Sequence, residues 1–447
     1  MRYKLKIEKL GASGDGIGYY HGKKVFVSGT LPGEIIETEL DVETSQGYYG
    51  HVISRLNNSN ERQEPECRHF EFCGGCVAQH YSVAAYREWK LNILRNALLT
   101  RGIRDVKISP LIICPPSSRR RTRLSLSRVR KTNDVQIRLG FNQYRTSKVI
   151  DIISCSLLLP RLQKLLPPLR KVVKFLSPNL KQISIVQADV GLEVILHGID
   201  SSPSMRQREV IAKFSSAHNI ARVAVEVYQY EERKKKLTNK SRVFKSKSIP
   251  EIIVQPGAVK AVFSDITVPL PCGAFLQPTK VGEEAIVQQV VQGLRIKSSE
   301  TLRIADLYSG VGSIGLNLAA RGQKVAMYEY NKEMANAAFM ASNRANIVTT
   351  TSVRNLSKQP LGNDELNKFD AVVFDPPRAG ARLQASHLAK SKVKNIAAVS
   401  CNPATFSRDA RILIDGGYNL LSVTPIDQFQ WSHHTELVGI FKLCSKR

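Results

Sequence analysis

The chain changes its hydrophobic rhythm three times. Over residues 1–57 apolar and polar positions alternate in short runs, "YKLKIEKL", "IIETEL" and "YYGHVISRL", broken by turn-rich stretches such as "GASGDGIGYYHGKK". Alternation with period two predicts strands, and short strands joined by glycine turns predict a small OB-like β-barrel. The next clear element is "VAAYREWKLNILRNALLTRG", 83–102, whose apolar positions recur at helical spacing and stop at a glycine. Residues 183–198, "ISIVQADVGLEVILHG", predict a hairpin, and "ARVAVEVYQY" a further strand. With "EERKKKLTNKSRVFKSKS", 231–248, a basic loop or hairpin tip, the span 58–270 reads as a β-rich, basic middle domain.

From about 271 apolar runs lead into polar turns and then into helical stretches: "TLRIADLYSGVGSIGLNLAARG", "KVAMYEYNKEMANAAFMASNRAN", "KFDAVVFDPP", "VKNIAAVSCNP" and "YNLLSVTPID". This alternation predicts an α/β Rossmann-like domain over 271–447 built on a parallel sheet. Its ligands then belong at the carboxyl ends of the strands, where Asp306, Glu329, Asp375 and Cys401 all fall.

Composition narrows the partner. With 65 Lys and Arg against 38 Asp and Glu, the net charge is +27 over 447 residues, a field that draws polyanions, nucleic acid above all. Residues 119–131, "RRRTRLSLSRVRK", carry seven of these cations on a pattern suited to a strand with one basic face. No run approaches the roughly 18 apolar residues of a membrane span, and the N-terminus has no apolar signal core. The expectation is a soluble, cytoplasmic protein, monomeric by default, that binds RNA rather than a membrane.

Three groups of residues carry chemistry. Gly310, Gly312 and Gly315 form a G-x-G-x-x-G turn, with Glu329 at the end of the next strand placed to accept from ribose hydroxyls. The turn suits either a nicotinamide dinucleotide or S-adenosylmethionine; Asp306 and "DPPR" at 375–378 favour the methyl donor. Cys67, Cys73 and Cys76 in "CRHFEFCGGC" have metal-ligand spacing, and a triplet with a distant fourth thiolate favours iron–sulfur over zinc. Cys155 is the best fourth ligand and Cys114 the alternative. Cys401, in "SCNPATF", could be a buried core thiol or a nucleophile that adds to a pyrimidine 6-carbon and so activates the 5-carbon for methylation. His433, His434 and Glu436 in "DQFQWSHHTE" supply bases, and spacing alone does not choose among them.

Together "CRHFEFCGGC", "GAFLQPTK", "DLYSGVGSIG", "DPPRAG", "SCNPATFSRD" and "DQFQWSHHTELVGIF", behind a barrel like a TRAM domain, resemble the RNA 5-methyluridine methyltransferases. The resemblance spans nearly the whole chain. It implies Cys401 as nucleophile and Glu436 as general base. It implies a [4Fe–4S] cluster on Cys67, Cys73, Cys76 and Cys155, and an S-adenosylmethionine site lined by Gln277, Tyr308, Glu329 and Asp375, with Ser313 and Asn355 contributing. It also implies that the helix near 80–102 packs on the catalytic domain. The implied substrate is a uridine in structured RNA, 23S rRNA ahead of tRNA. The rivals are a cytosine-5 or amino-group methyltransferase and a non-catalytic iron–sulfur RNA-binding protein.

Overall fold

Short alternating segments become strands and the long amphipathic stretches become helices, but the chain does not pack in sequence order. The structure is a computed structural model that describes residues 2–131, 134–199, 201–227, 229–233, 242–246, 250–297 and 299–444. It divides into two compact units, one made of 1–114, 143–146 and 375–447, the other of 115–142 and 147–374.

In the first unit, six strands pair in the order Arg2–Lys6, Ile35–Thr44, Gly47–Arg55, Lys23–Val27, Gly16–Tyr20 and Lys9–Leu10. Their inward alternate positions, Leu5, Val25, Val27 and Ile36, pack with Ile7 into a core. Buried Glu34 ties this sheet to the connector that follows. It takes a 2.5 Å hydrogen bond from Arg62 Nε and a 2.9 Å one from the Leu31 backbone N–H.

The connector leads to the helix Val83–Leu99, which Ser82 caps by accepting the Ala85 N–H. The helix buries Tyr86, Trp89, Lys90, Leu94 and Leu98, a face at helical spacing with one lysine in it. Tyr86 and Trp89 join Leu31, Ala78 and Tyr81 in a second core. The same unit holds the strands Asn395–Ser400, Glu436–Leu443 and Tyr418–Asp427, paired in that order, and the helix Pro403–Asp415. Glu436–Leu443 runs antiparallel to both of its neighbours. This departs from the all-parallel sheet expected from the sequence. Only eight residues, 428–435, separate the last two strands, too few for a parallel crossover, so the chain folds straight back.

The second unit carries a seven-stranded sheet, in the order Val149–Asp151, Asp134–Asn142, Arg121–Lys131, Gln182–Gln187, Leu192–Ile199, Arg222–Val227 and Glu251–Val254. The helix Met205–Ala217 connects its one parallel pair, Leu192–Ile199 with Arg222–Val227. Thr122, Leu124 and Leu126 are buried and Arg123 is exposed on the alternate face, while Arg121 and Ser125 are half-buried and Arg121 Nη1 donates to the Leu276 carbonyl at 3.0 Å, so the expected basic face is in part committed inside the protein. Of the basic stretch 231–248, Gln229–Arg233 and Arg242–Ser246 include the described parts and pair antiparallel; the remainder lies outside the described residues. The unit also holds four parallel strands in the order Thr349–Val353, Lys324–Glu329, Arg303–Leu307 and Ala371–Phe374.

Candidate active site

Two polar ends of sheet concentrate the chemistry, one in each unit. In the second unit the strand Arg303–Leu307 runs into the glycine turn. Tyr308, Gly310 and Gly312 all have positive φ, 62°, 57° and 86°. The turn is held by acids from below. Asp306 Oδ2 accepts the Gly315 N–H at 2.8 Å, and Glu329 accepts the N–H groups of Gly310 at 2.9 Å and Asn331 at 2.7 Å. A Cβ on Gly312 would stand 2.9 Å from Leu316 Cγ, so only glycine closes this turn. At Gly310 a Cβ would meet open space, leaving that face of the turn clear for a ligand.

Ser313, in the same turn, accepts the Asn317 side-chain N–H through its carbonyl at 2.7 Å. Asn355 follows the strand Thr349–Val353 and accepts backbone N–H groups from Lys358 and Gln359. Gln277 is buried, and Arg120 Nε donates to its carbonyl at 2.9 Å while the same guanidinium bonds Glu283 at 2.7 Å. The turn, its supporting acids and the clear face fit an adenosyl cofactor.

In the first unit, Cys401 follows the strand Asn395–Ser400 and precedes the helix Pro403–Asp415. Asn402 caps that helix by accepting the Ala404 N–H at 3.1 Å, with Pro403 in its first turn. Antiparallel pairing sets Ser400 opposite Leu437, so the start of one strand, Glu436, comes to the same end of the sheet as Cys401.

Burial and the nearby carboxylates of Glu436 and Asp375 push the Cys401 thiol up to about 11, and Arg378 partly offsets them. Burial lifts Asp375 to about 7. Burial and Asp375 lift Glu436 to about 8, against a 3.1 Å hydrogen bond from Gln428 Nε2. His433, half-buried, is held below its ordinary value by burial and by Arg378 and Lys90. His434 lies 3.2 Å from the Arg378 guanidinium.

The helix after Cys401 also braces the "DPPRAG" turn. Asp409 accepts the Ala381 N–H at 2.7 Å, and Arg408 donates to the Ala379 carbonyl at 3.0 Å.

The cysteine triplet occupies the connector of the first unit. Cys67, Cys73 and Cys76 are half-buried there, and the Gly75 N–H points at Cys73 Sγ from 3.5 Å. Thiolates with backbone N–H donors are the right donor chemistry for iron–sulfur. Cys155 lies in the second unit, and Cys114 is buried in the first. Among the described residues, no three His, Cys, Asp or Glu side chains are gathered as a metal-binding group.

Sequence reasoning missed Arg378, Gln428, Tyr86, Lys90 and Asp427. The one signal for Lys90 was its place on the apolar stripe, four residues after Tyr86.

Residues 266–443 match the family model described as tRNA (Uracil-5-)-methyltransferase, and residues 2–58 match the TRAM domain. An uncharacterized RNA methyltransferase of Mesorhizobium japonicum is 36% identical over 98% of both chains. The 23S rRNA (uracil(1939)-C(5))-methyltransferase of Photorhabdus laumondii is 30% identical, covering 97% of this chain and 95% of its own. Among solved structures, the Pyrococcus abyssi tRNA (uracil-54, C5)-methyltransferase with S-adenosyl-L-homocysteine shares the fold. Its TM-score is 0.69 over 98% of this chain and 100% of that one, at 20% identity. No helix among the described residues is long and apolar enough to cross a membrane. The TRAM barrel, the α/β catalytic fold and the near full-length relatives agree: this chain belongs to the S-adenosylmethionine-dependent RNA (uracil-5-)-methyltransferase family.

Proposed function

We propose that this protein methylates carbon 5 of a uridine in structured RNA through a covalent adduct with Cys401. The observation that carries the reading is the meeting, at one end of the sheet, of a thiol with a carboxylate whose proton affinity is tuned toward neutrality. A thiol with its pKa near 11 is a poor thiolate at rest, so Cys401 gives up its proton to solvent as it attacks, with Arg378 favouring the anion. Sulfur bonds to carbon 6, and the π electrons of the 5,6 double bond move onto the O4 enolate. Carbon 5 would then take the methyl of S-adenosylmethionine, the C–C bond forming as the S–CH3 bond breaks and S-adenosylhomocysteine leaves with that electron pair. The Glu436 carboxylate removes the remaining proton from carbon 5, the double bond re-forms and the thiolate leaves. A base with its pKa near 8 is about one-tenth ionised at pH 7, and that fraction binds the abstracted proton far more firmly than an ordinary carboxylate would.

Gln277, Tyr308 and Glu329, with Ser313 and Asn355, hold the methyl donor. The target base leaves its stack to reach the thiol, and exposed Arg123 and the TRAM barrel grip the RNA backbone. 23S rRNA is the favoured substrate. The Photorhabdus enzyme named for it is related along nearly the whole chain, whereas the likeness to the tRNA enzyme of Pyrococcus is one of fold. The cysteines 67, 73 and 76, with a fourth thiolate, hold a [4Fe–4S] cluster that shapes the RNA grip. Iron and sulfide analysis of wild type and a Cys67→Ser variant, alongside activity, tests that assignment. Full turnover with unchanged RNA selection and no cluster would remove it.

The deciding experiment compares wild type with Cys401→Ala. Each is given labelled S-adenosylmethionine and total RNA from a strain lacking the protein, and modified nucleosides are resolved by mass spectrometry with rRNA and tRNA apart. 5-Methyluridine made only by wild type is expected, in the rRNA fraction. Equal methylation by the variant would make Cys401 a packing residue.

A further inference from the structure

The segment that leads into Glu436 is fixed from inside by one helix. Lys90 and Asp427 are both 0% exposed, and Lys90 Nζ donates to Asp427 Oδ1 at 2.9 Å. The same ammonium donates to the His434 carbonyl. Tyr86, one turn earlier on the helix, donates its hydroxyl to the other oxygen of Asp427 and accepts the Trp431 N–H at 2.9 Å.

Trp431 holds a left-handed conformation, φ 59°, and its ring lies 4.6 Å from that of Tyr86. Its carbonyl accepts the Val77 N–H at 2.6 Å. The segment is therefore gripped at its first residue, its middle and its last turn. Ile426, next to Asp427, is the cross-strand partner of Glu436 itself.

A buried ammonium is an expensive way to fill space, since removing such a charge from water costs several kcal/mol before its partners return any of it. Met or Leu would pack the same stripe. What a lysine adds is reach: one group bonds a side chain and a backbone carbonyl seven positions apart on the same segment.

We propose that Lys90 is a positioning residue for the proton-abstraction step, holding the 427–434 segment so that Glu436 meets the carbon 5 proton, with Tyr86 and Asp427 as its partners. This rests on the reading of Glu436 as the base. A displaced base leaves attack by Cys401 and methyl transfer intact but delays release. The distinguishing species is then a protein–RNA adduct that already carries the methyl group.

The test uses the full chain with methyl-labelled S-adenosylmethionine and total RNA from a strain lacking the protein. Labelled RNA that stays attached to protein on denaturing gels is followed in single turnover. Glu436→Gln is the reference and should accumulate the labelled adduct. Lys90→Met should lengthen the adduct's lifetime about tenfold or more, since small misplacements of a catalytic group cost that much, with RNA and donor KM within about twofold of wild type.

Tyr86→Phe removes one hydroxyl and keeps the ring, so it serves if Lys90→Met does not fold; it should lengthen the lifetime by a smaller factor. Adduct in Glu436→Gln with wild-type release in Tyr86→Phe and in any folded Lys90→Met overturns the positioning role. Normal release in Glu436→Gln overturns the base assignment first, and the positioning proposal with it.

Discussion

Glu436→Gln should make the protein more stable as the pH rises while it stops turnover. Burial and Asp375 lift this carboxyl from the ordinary 4.5 to about 8 in the folded chain. Between those two values the folded state keeps a proton that the unfolded chain has given up. Folding then binds protons, and stability falls as pH rises through the window. Each tenfold in proton affinity is worth about 1.4 kcal/mol, so the full excursion carries about 5 kcal/mol, lost by pH 9.

A glutamine accepts the same N–H from Gln428 and does not titrate. It also relieves Asp375 of a neighbouring charge, so the variant's alkaline advantage should reach several kcal/mol. Urea unfolding followed by tryptophan fluorescence is well suited, because both tryptophans, Trp89 and Trp431, belong to the unit that holds Glu436. The two proteins should unfold alike near pH 5 and diverge steadily to pH 9. A difference constant to within about 0.5 kcal/mol, the scatter of unremarkable surface substitutions, would mean that Glu436 is already ionised in the fold, and the argument for its poised basicity would fail.

Gly312→Ala adds a Cβ 2.9 Å from Leu316 Cγ at a φ of 86°; it should cost about 1–3 kcal/mol and weaken S-adenosyl-L-homocysteine binding about tenfold or more by calorimetry. Glu34→Gln unpairs Arg62 from a buried carboxylate and should lower stability by about 3 kcal/mol. Burial raises that carboxyl, but Arg62 and the Leu31 N–H more than reverse the effect and leave it below its ordinary value. Its stabilisation is therefore present at neutral pH and fades on acidification, which thermal melts from pH 7 to pH 3 would register. RNA affinity should fall steeply with salt. Arg123→Ala should reduce the slope of log affinity against log salt by about one, and an unchanged slope would take that strand away from the RNA backbone.

What could be read from sequence was whatever obeys local periodicity. The hairpin of Gln182–Gln187 with Leu192–Ile199, the helix Val83–Leu99 and the acids that end the strands Arg303–Leu307 and Lys324–Glu329 all follow from spacing within a few residues. The direction of Glu436–Leu443 was hidden, because an apolar run has no arrow; only the shortness of 428–435 bears on it. Lys90 was hidden for a different reason. A charged residue on an apolar stripe reads as an interruption until Asp427 is seen across from it, and nothing local links positions 337 apart. The elevated proton affinities of Asp375, Cys401 and Glu436 were illegible too. They arise first from burial in the folded chain, with Asp375 adding to the effect at Glu436 and both carboxylates adding to it at Cys401, not from their neighbours in the chain.

That long-range pair also sets a timetable for the molecule's birth. At roughly 5–20 residues per second, a ribosome that has made Lys90 needs on the order of half a minute to make Asp427. During that interval the Tyr86–Trp89–Lys90 face of the helix has no carboxylate to receive it and no Trp431 to cover it. The nascent barrel can close around Leu5, Val25 and Ile36 well before then. Leu31, Ala78 and Tyr81 are already there to pack Trp89, but the Tyr86–Lys90 edge of the helix must wait for its partners, so the slow event in this protein's maturation should be the late arrival of its last strands. A chaperone that shelters amphipathic helices would be expected to raise its yield more than one that assists β-barrels.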